Sequence, residues 1–203
     1  MIDAYRTINE PSSTRLTRKK SRFLAHAVPV DSQEAIDERL AEIQRQYHDA
    51  SHHCSAWRVR GEGEPLVHSD DDGEPTGSAG LPILHQIEGQ DLLDVMVVVV
   101  RYFGGTKLGV GGLIRAYSDA AREALAAAHI VVRQVRIEVS IRFPPEVNSG
   151  VMGTIHRAGA DVLEIAYDDR PHVRVAIPPS AVERFVASIR DATAARATIE
   201  VAR

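Results

Sequence analysis

Between residues 135 and 143 the chain alternates strictly. Val135, Ile137, Val139, Ile141 and Phe143 are apolar, while Arg136, Glu138, Ser140 and Arg142 between them are polar. A period of two marks a strand with one buried face, and Pro144-Pro145 end it. Val147, Val151, Ile155 and Ala158 then recur at helical spacing until Gly159 stops the helix. Strands over 160–168 and 171–177 follow, joined at Asp168-Asp169-Arg170. A helix over 181–194 carries Val182, Phe185, Ile189 and Ala192 on one face, and a last strand runs through Ala197, Ile199 and Val201. The order β-α-β-β-α-β is the ferredoxin-like pattern. Its first and third strands lie side by side at the centre, so Arg136, Arg142, His172 and Arg174 share the face away from the helices. RNA-recognition domains place stacking aromatics there. Arg, Glu and Ser in those positions exclude such a domain and predict a salt-bridged solvent face, with Glu138 against Arg174 as one pair.

The first part of the chain is less regular. Residues 22–30 read as a strand, and Asp31 as the cap of a helix that turns Ile36, Leu40, Ile43 and Tyr47 inward. Residues 52–60 and 66–69 form a hairpin around Gly61-Glu62-Gly63-Glu64-Pro65. An acidic loop leads into a short helix with Pro82 in its first turn. The stretch from Val95 to Phe103 is apolar on both faces and so belongs at the centre of a sheet. A glycine-rich segment follows, then an alanine-rich helix over 113–128. The border between the two parts falls near Ile130–Val132, giving an N-terminal α/β domain over 1–131 and a ferredoxin-like domain over 132–203, an α+β chain overall.

Composition narrows the class. The 203 residues are 44% hydrophobic and 26% charged, the balance of an ordinary globular protein. The longest apolar run, Val95 to Val100, is far short of the roughly 20 residues that span a membrane. The N-terminus lacks the basic start and apolar core of a secretory signal. A cytoplasmic location is expected. The one cysteine, Cys54, excludes an internal disulfide and a multi-cysteine zinc site. A net charge of −4 argues against a surface that binds nucleic acid everywhere, so any such partner must meet a local patch.

Three segments carry candidate chemistry. In the acidic loop, Asp71, Asp72 and Glu74 could hold a divalent cation loosely. An EF-hand fails, because His68 and Ala79 would occupy its first and last ligand positions. The plainer reading is an acidic turn that caps the following helix. The strand–loop–helix around Arg101, Tyr102, Gly104, Gly105, Lys107, Gly111, Gly112 and Arg115 presents backbone N–H groups among cations, a suitable place for an anion. It matches neither the P-loop nor the dinucleotide fingerprint. In His52-His53-Cys54, alternation separates His53 from the other two, so the three cannot share a metal without a bulge. Cys54 reads as core, and Ser78 as a helix cap. No catalytic residue, metal or cofactor is assigned.

Several of these segments resemble the YigZ/Impact family: KKSRF at 19–23, the H-x-C-x-A-x-R from His52 to Arg58, DDGEPTGSAGLPIL at 71–84 and VVVVRYFGGTKLGVGGLIRAY at 97–117. The resemblance implies a first domain like the fourth domain of elongation factor G and a second like its fifth. Both of those touch the ribosome, and eukaryotic Impact proteins regulate translation. The implied function is a non-enzymatic, translation-associated binding protein. Its expected partners are RNA, the ribosome or a translation-control protein, with no membrane and no DNA. The competing reading is a metal-assisted hydrolase or transferase for an anionic substrate, using Asp71, Asp72 and Glu74 beside Arg101 and Lys107.

Overall fold

The computed structural model describes residues 2–61, 63–167 and 170–202. Glu62 of the expected hairpin turn and the Asp168-Asp169 connection lie outside these. The protein is a mixed α+β chain with antiparallel sheets. It divides into two compact units, one from Arg6 to Arg133 and one from Gln134 onward joined by the residues up to Tyr5.

The first unit is built on a five-stranded sheet of β2 (Ser12–Arg18), β3 (Ser21–Pro29), β4 (His52–Val59), β5 (Leu66–Asp70) and β6 (Val95–Tyr102), in the order β2-β3-β6-β4-β5. All its ladders are antiparallel. The valine run explains why β6 is central. Every residue from Val95 to Val100 is fully buried, because helices cover both faces of the sheet. On one face α2 (Gly80–Gly89) and α3 (Val110–Ala127) pack Ile83, Ile87, Leu113, Ala120 and Leu125 against Phe23, Cys54 and Val97. On the other, α1 (Gln33–Gln46) packs Ile36 and Ile43 against Met96, Val98 and Val100.

Several local expectations change. Ser32, not Asp31, caps α1, its Oγ accepting the Ala35 N–H at 3.2 Å. Ser78 does not cap α2; its Oγ is buried without a hydrogen-bond partner, and Asp71 supplies the capping carboxylate. Helix α3 starts at Val110 because Gly109, at φ 74°, turns the chain directly into the helix. Two strands near the N-terminus, β1 (Ala4–Ile8) and β2, have no counterpart in the apolar pattern. Leu16 is the one apolar residue of β2 and its one buried one, as fits an outer strand. Strand β1 pairs with β7 (Ile130–Gln134).

The second unit contains β8 (Ile137–Arg142), α4 (Asn148–Ala158), β9 (Asp161–Ala166), β10 (His172–Ile177), α5 (Val182–Ala192) and β11 (Thr198–Val201). The sheet order is β11-β8-β10-β9, with the first and third strands of the unit adjacent at the centre. Gly159 ends α4 in the left-handed region at φ 61°, where glycine bears no Cβ penalty. One face of the sheet buries Val139, Ile141, Val173 and Val175 beneath Val151, Ile155, Phe185 and Ile189. The other is salt-bridged: the expected pair of Arg174 with Glu138 lies at 3.8 Å, and Arg174 with Glu164 at 2.9 Å and Arg136 with Asp161 at 3.3 Å add to it.

Candidate functional site

Arg101 is the penultimate residue of strand β6, and its side chain turns inward. It is 5% exposed and ion-paired with the buried carboxylate of Glu74. The guanidinium lies between two aromatic rings, 5.6 Å from the centroid of Phe23 and 5.5 Å from that of Phe103. The Tyr117 hydroxyl donates to the same Glu74 oxygen at 2.8 Å. The Cys54 thiol lies 3.3 Å from that hydroxyl and 3.0 Å from the Asp71 carbonyl. Burial pushes both the Cys54 thiol and the Tyr117 phenol far above their ordinary pKa ranges, so both stay protonated at neutral pH. A protonated, enclosed thiol is a poor nucleophile. The knot of Cys54, Tyr117, Glu74 and Arg101 ties β4, α3, the acidic loop and β6 together.

This changes the grouping of Arg101 with Lys107 and Arg115 as three cations around one anion-binding loop. Arg101 belongs to the interior, and its charge is already matched by Glu74.

The acidic residues are also committed. Asp71 accepts N–H bonds from Gly77, Ala79 and Gly80 at 2.7, 2.9 and 2.8 Å, capping the start of α2. Burial raises its pKa, but the three N–H groups outweigh burial and hold the carboxyl below its ordinary value. Asp72 accepts the His53 N–H at 2.6 Å. Gly80 presses so closely on β5 that a Cβ there would lie 2.6 Å from the Asp70 nitrogen. Each of Asp71, Asp72 and Glu74 therefore faces a different donor, and they do not converge. Among the described residues, no three His, Cys, Asp or Glu side chains are grouped to hold a metal ion.

The surface beside this knot has a different character. Strands β2 and β3 join through Lys19-Lys20, with φ of 44° and 70°. Two consecutive positive φ values suit the tight turns that asparagine and glycine normally occupy. Lysines there cost about 1 kcal/mol or more each. Gly104 holds this turn in place, since a Cβ at that position would collide with the Lys20 carbonyl. The buried Ser21 Oγ accepts the Gly104 N–H at 3.1 Å. The two lysines thus lie against the glycine-rich loop, whose Gly105 also has a positive φ, 80°. Lys107 and Arg115 are exposed, and the Arg115 guanidinium reaches back toward Gly111 in the first turn of α3. Gly112 and Leu113 return their N–H groups to the Gly109 carbonyl. Phe103 stands 51% exposed at the start of the loop. Tyr102 donates to Asp49 at 2.7 Å, and the Arg22 guanidinium covers its ring at 4.5 Å. Lys19, Lys20 and Phe103 stand outside the residues that the sequence reading groups around the anion-binding loop, although the paired lysines open the KKSRF segment.

The Impact N-terminal domain family model matches residues 19–125, from the lysine turn into the last turn of α3. The chain belongs to the Impact family. The Impact family member YigZ of Escherichia coli is 33% identical over 176 residues, covering 85% of both chains. A Thermus thermophilus family member is 40% identical over 79% of this chain and 86% of its own. The Bacillus subtilis member YvyE is 40% identical over 66% of this chain and 62% of its own length. The crystal structure of a hypothetical protein superposes with a TM-score of 0.71 at 28% identity, covering 100% of this chain and 99% of that one. The Impact family match takes in the buried knot, the acidic loop and the lysine-bearing rim.

Proposed function

We propose that this protein is a non-enzymatic, translation-associated binding protein that engages RNA, free or within the ribosome, through the rim of Lys19, Lys20, Phe103, Lys107 and Arg115. In this reading the first unit is of the type found in the fourth domain of elongation factor G. The second is ferredoxin-like, and the protein works in the cytoplasm. The observation that carries the proposal is the Lys19-Lys20 turn. Two lysines occupy strained backbone positions, pinned by a glycine of the very loop that bears Lys107. Strain of this kind persists where the surrounding structure over-determines it, often at ligand clamps. Cations on a fixed frame suit phosphates, and an exposed aromatic beside them suits an unstacked base.

The competing hydrolase reading loses its acidic machinery. Asp71 is capping a helix, and Glu74 is bound by Arg101 and Tyr117.

The test is titration of labelled single-stranded RNA and of ribosomes at several salt concentrations. Lys20→Glu and Lys107→Glu should each weaken binding and reduce the log–log salt slope by about 0.7 per lost phosphate contact. Arg45→Glu, in the last turn of α1, is the control and should change neither. Equal binding by wild type and both lysine variants at every salt would remove the rim from contention. Salt-dependent capture of an acidic protein, with no RNA affinity, would transfer the rim to a translation-control partner.

A further inference from the structure

In the second unit, α4 and α5 do not close completely over the end of β10. Between them lies a groove of about 300 Å³. Its floor is Ile177, Phe185 and Thr154, all buried, and Ala158 forms one wall. Arg157 and Arg184 stand on its rim, one from each helix. Among the described residues, neither is paired with a carboxylate. Arg157 donates to the Thr154 hydroxyl at 2.9 Å, and that hydroxyl donates to the Gly150 carbonyl at 2.8 Å, which ties the guanidinium to a residue that lines the groove.

We propose that this groove is a binding site for a small amphipathic carboxylate. The chemistry is complementary in two parts. Exposed Ala158, beside the narrow open edges of Phe185 and Ile177, offers a small apolar surface that gains from covering an alkyl or aromatic body. The two guanidiniums offer planar, paired donors matched to a carboxylate. Asp3 already occupies the nearby helix start, accepting from the Ser180 N–H at 2.9 Å and from its hydroxyl at 2.5 Å, so the ligand's head group falls to the two arginines. The volume holds about ten groups of water size, which sets the ligand at about ten heavy atoms. The site is independent of the lysine rim and needs none of its residues.

Octanoate is the probe, with octanol as its uncharged counterpart, each titrated into the full chain and followed by amide NMR. Octanoate should give saturable shifts confined to α4, α5 and the end of β10. Octanol should shift the same amides at concentrations about tenfold higher, the difference made by the charged contacts. Arg157→Gln with Arg184→Gln should bring octanoate to the level of octanol. Both arginines are exposed, so the fold should survive their loss. Ala158→Leu, which fills the groove without altering a charge, should abolish both titrations. The proposal fails if octanoate and octanol titrate alike, if shifts spread without saturating, or if Ala158→Leu leaves octanoate binding unchanged.

Discussion

Arg101 and Arg174 both lie on sheet strands and both face glutamates, yet they work under opposite electrostatic conditions. Arg101 and Glu74 have side chains 6% and 4% exposed, enclosed by Phe23, Tyr117 and Ser21. Arg174, Glu138 and Glu164 each keep about half of their side-chain surface in water, on the open face of the second unit. A buried pair has lost its hydration, so removing one partner strands the other charge in a poor solvent. An exposed pair exchanges one set of hydrogen bonds for water's. The same residue types therefore form a strut in one unit and a solvated ladder in the other. Neither arginine is a free cation. In the proposed reading, the charges offered to a partner are those on the exposed loop and turn, at Lys19, Lys20 and Lys107.

The largest expected effect follows from the strut. Glu74→Ala should cost about 3–5 kcal/mol in urea unfolding, because Arg101 would remain buried and unpaired. A loss below about 1 kcal/mol would mean that the knot relaxes or admits water. Asp71→Ala should come next, at about 1–2 kcal/mol, through loss of the α2 cap. Its pH dependence is specific. The folded-state pKa of Asp71 lies below the ordinary 3.8, so its contribution is complete above that value and fades as pH falls through the folded pKa. The stability gap between wild type and Asp71→Asn should therefore narrow in acid and stay constant near neutrality. A gap that widens in acid would show that the carboxylate is not the stabilising form.

Smaller effects test the exposed side of the comparison. Lys20→Gly should leave stability unchanged or raise it by up to about 1 kcal/mol, by relieving a positive-φ lysine, while reducing RNA affinity. Arg174→Ala should change stability by no more than about 1 kcal/mol, and less in high salt. A loss as large as that at Glu74 would erase the distinction between the two settings.

How much was legible depends on whether a feature is local. The valine run announced β6, and the alternation from Val135 to Phe143 announced β8, because burial of a strand is written into neighbouring residues. Strand β2 was silent, since an outer strand with Leu16 as its one apolar residue has no periodic signature. The glycine-rich loop could be found by composition. That Arg101 turns inward could not, since its carboxylate comes from a loop distant in sequence, and a strand-end arginine beside glycines looks like a surface cation. Lys19 and Lys20 gained their meaning from the contact with Gly104, a packing event that neither segment signals alone. The acidic turn ahead of α2 reads as its cap, yet the sequence does not single out Asp71, and it favours Ser78, whose Oγ has no hydrogen-bond partner.

Cys54 is the single thiol of the chain, fully enclosed between the acidic loop and Tyr117. Alkylating reagents can reach it only when β4, α3 or the acidic loop separates. Its modification rate is therefore a kinetic gauge of how often that part of the molecule opens, much as an exchanging amide reports its own local unfolding. The gauge needs no introduced label. A ligand that clamps the rim from outside would slow the thiol's clock without touching the sulfur.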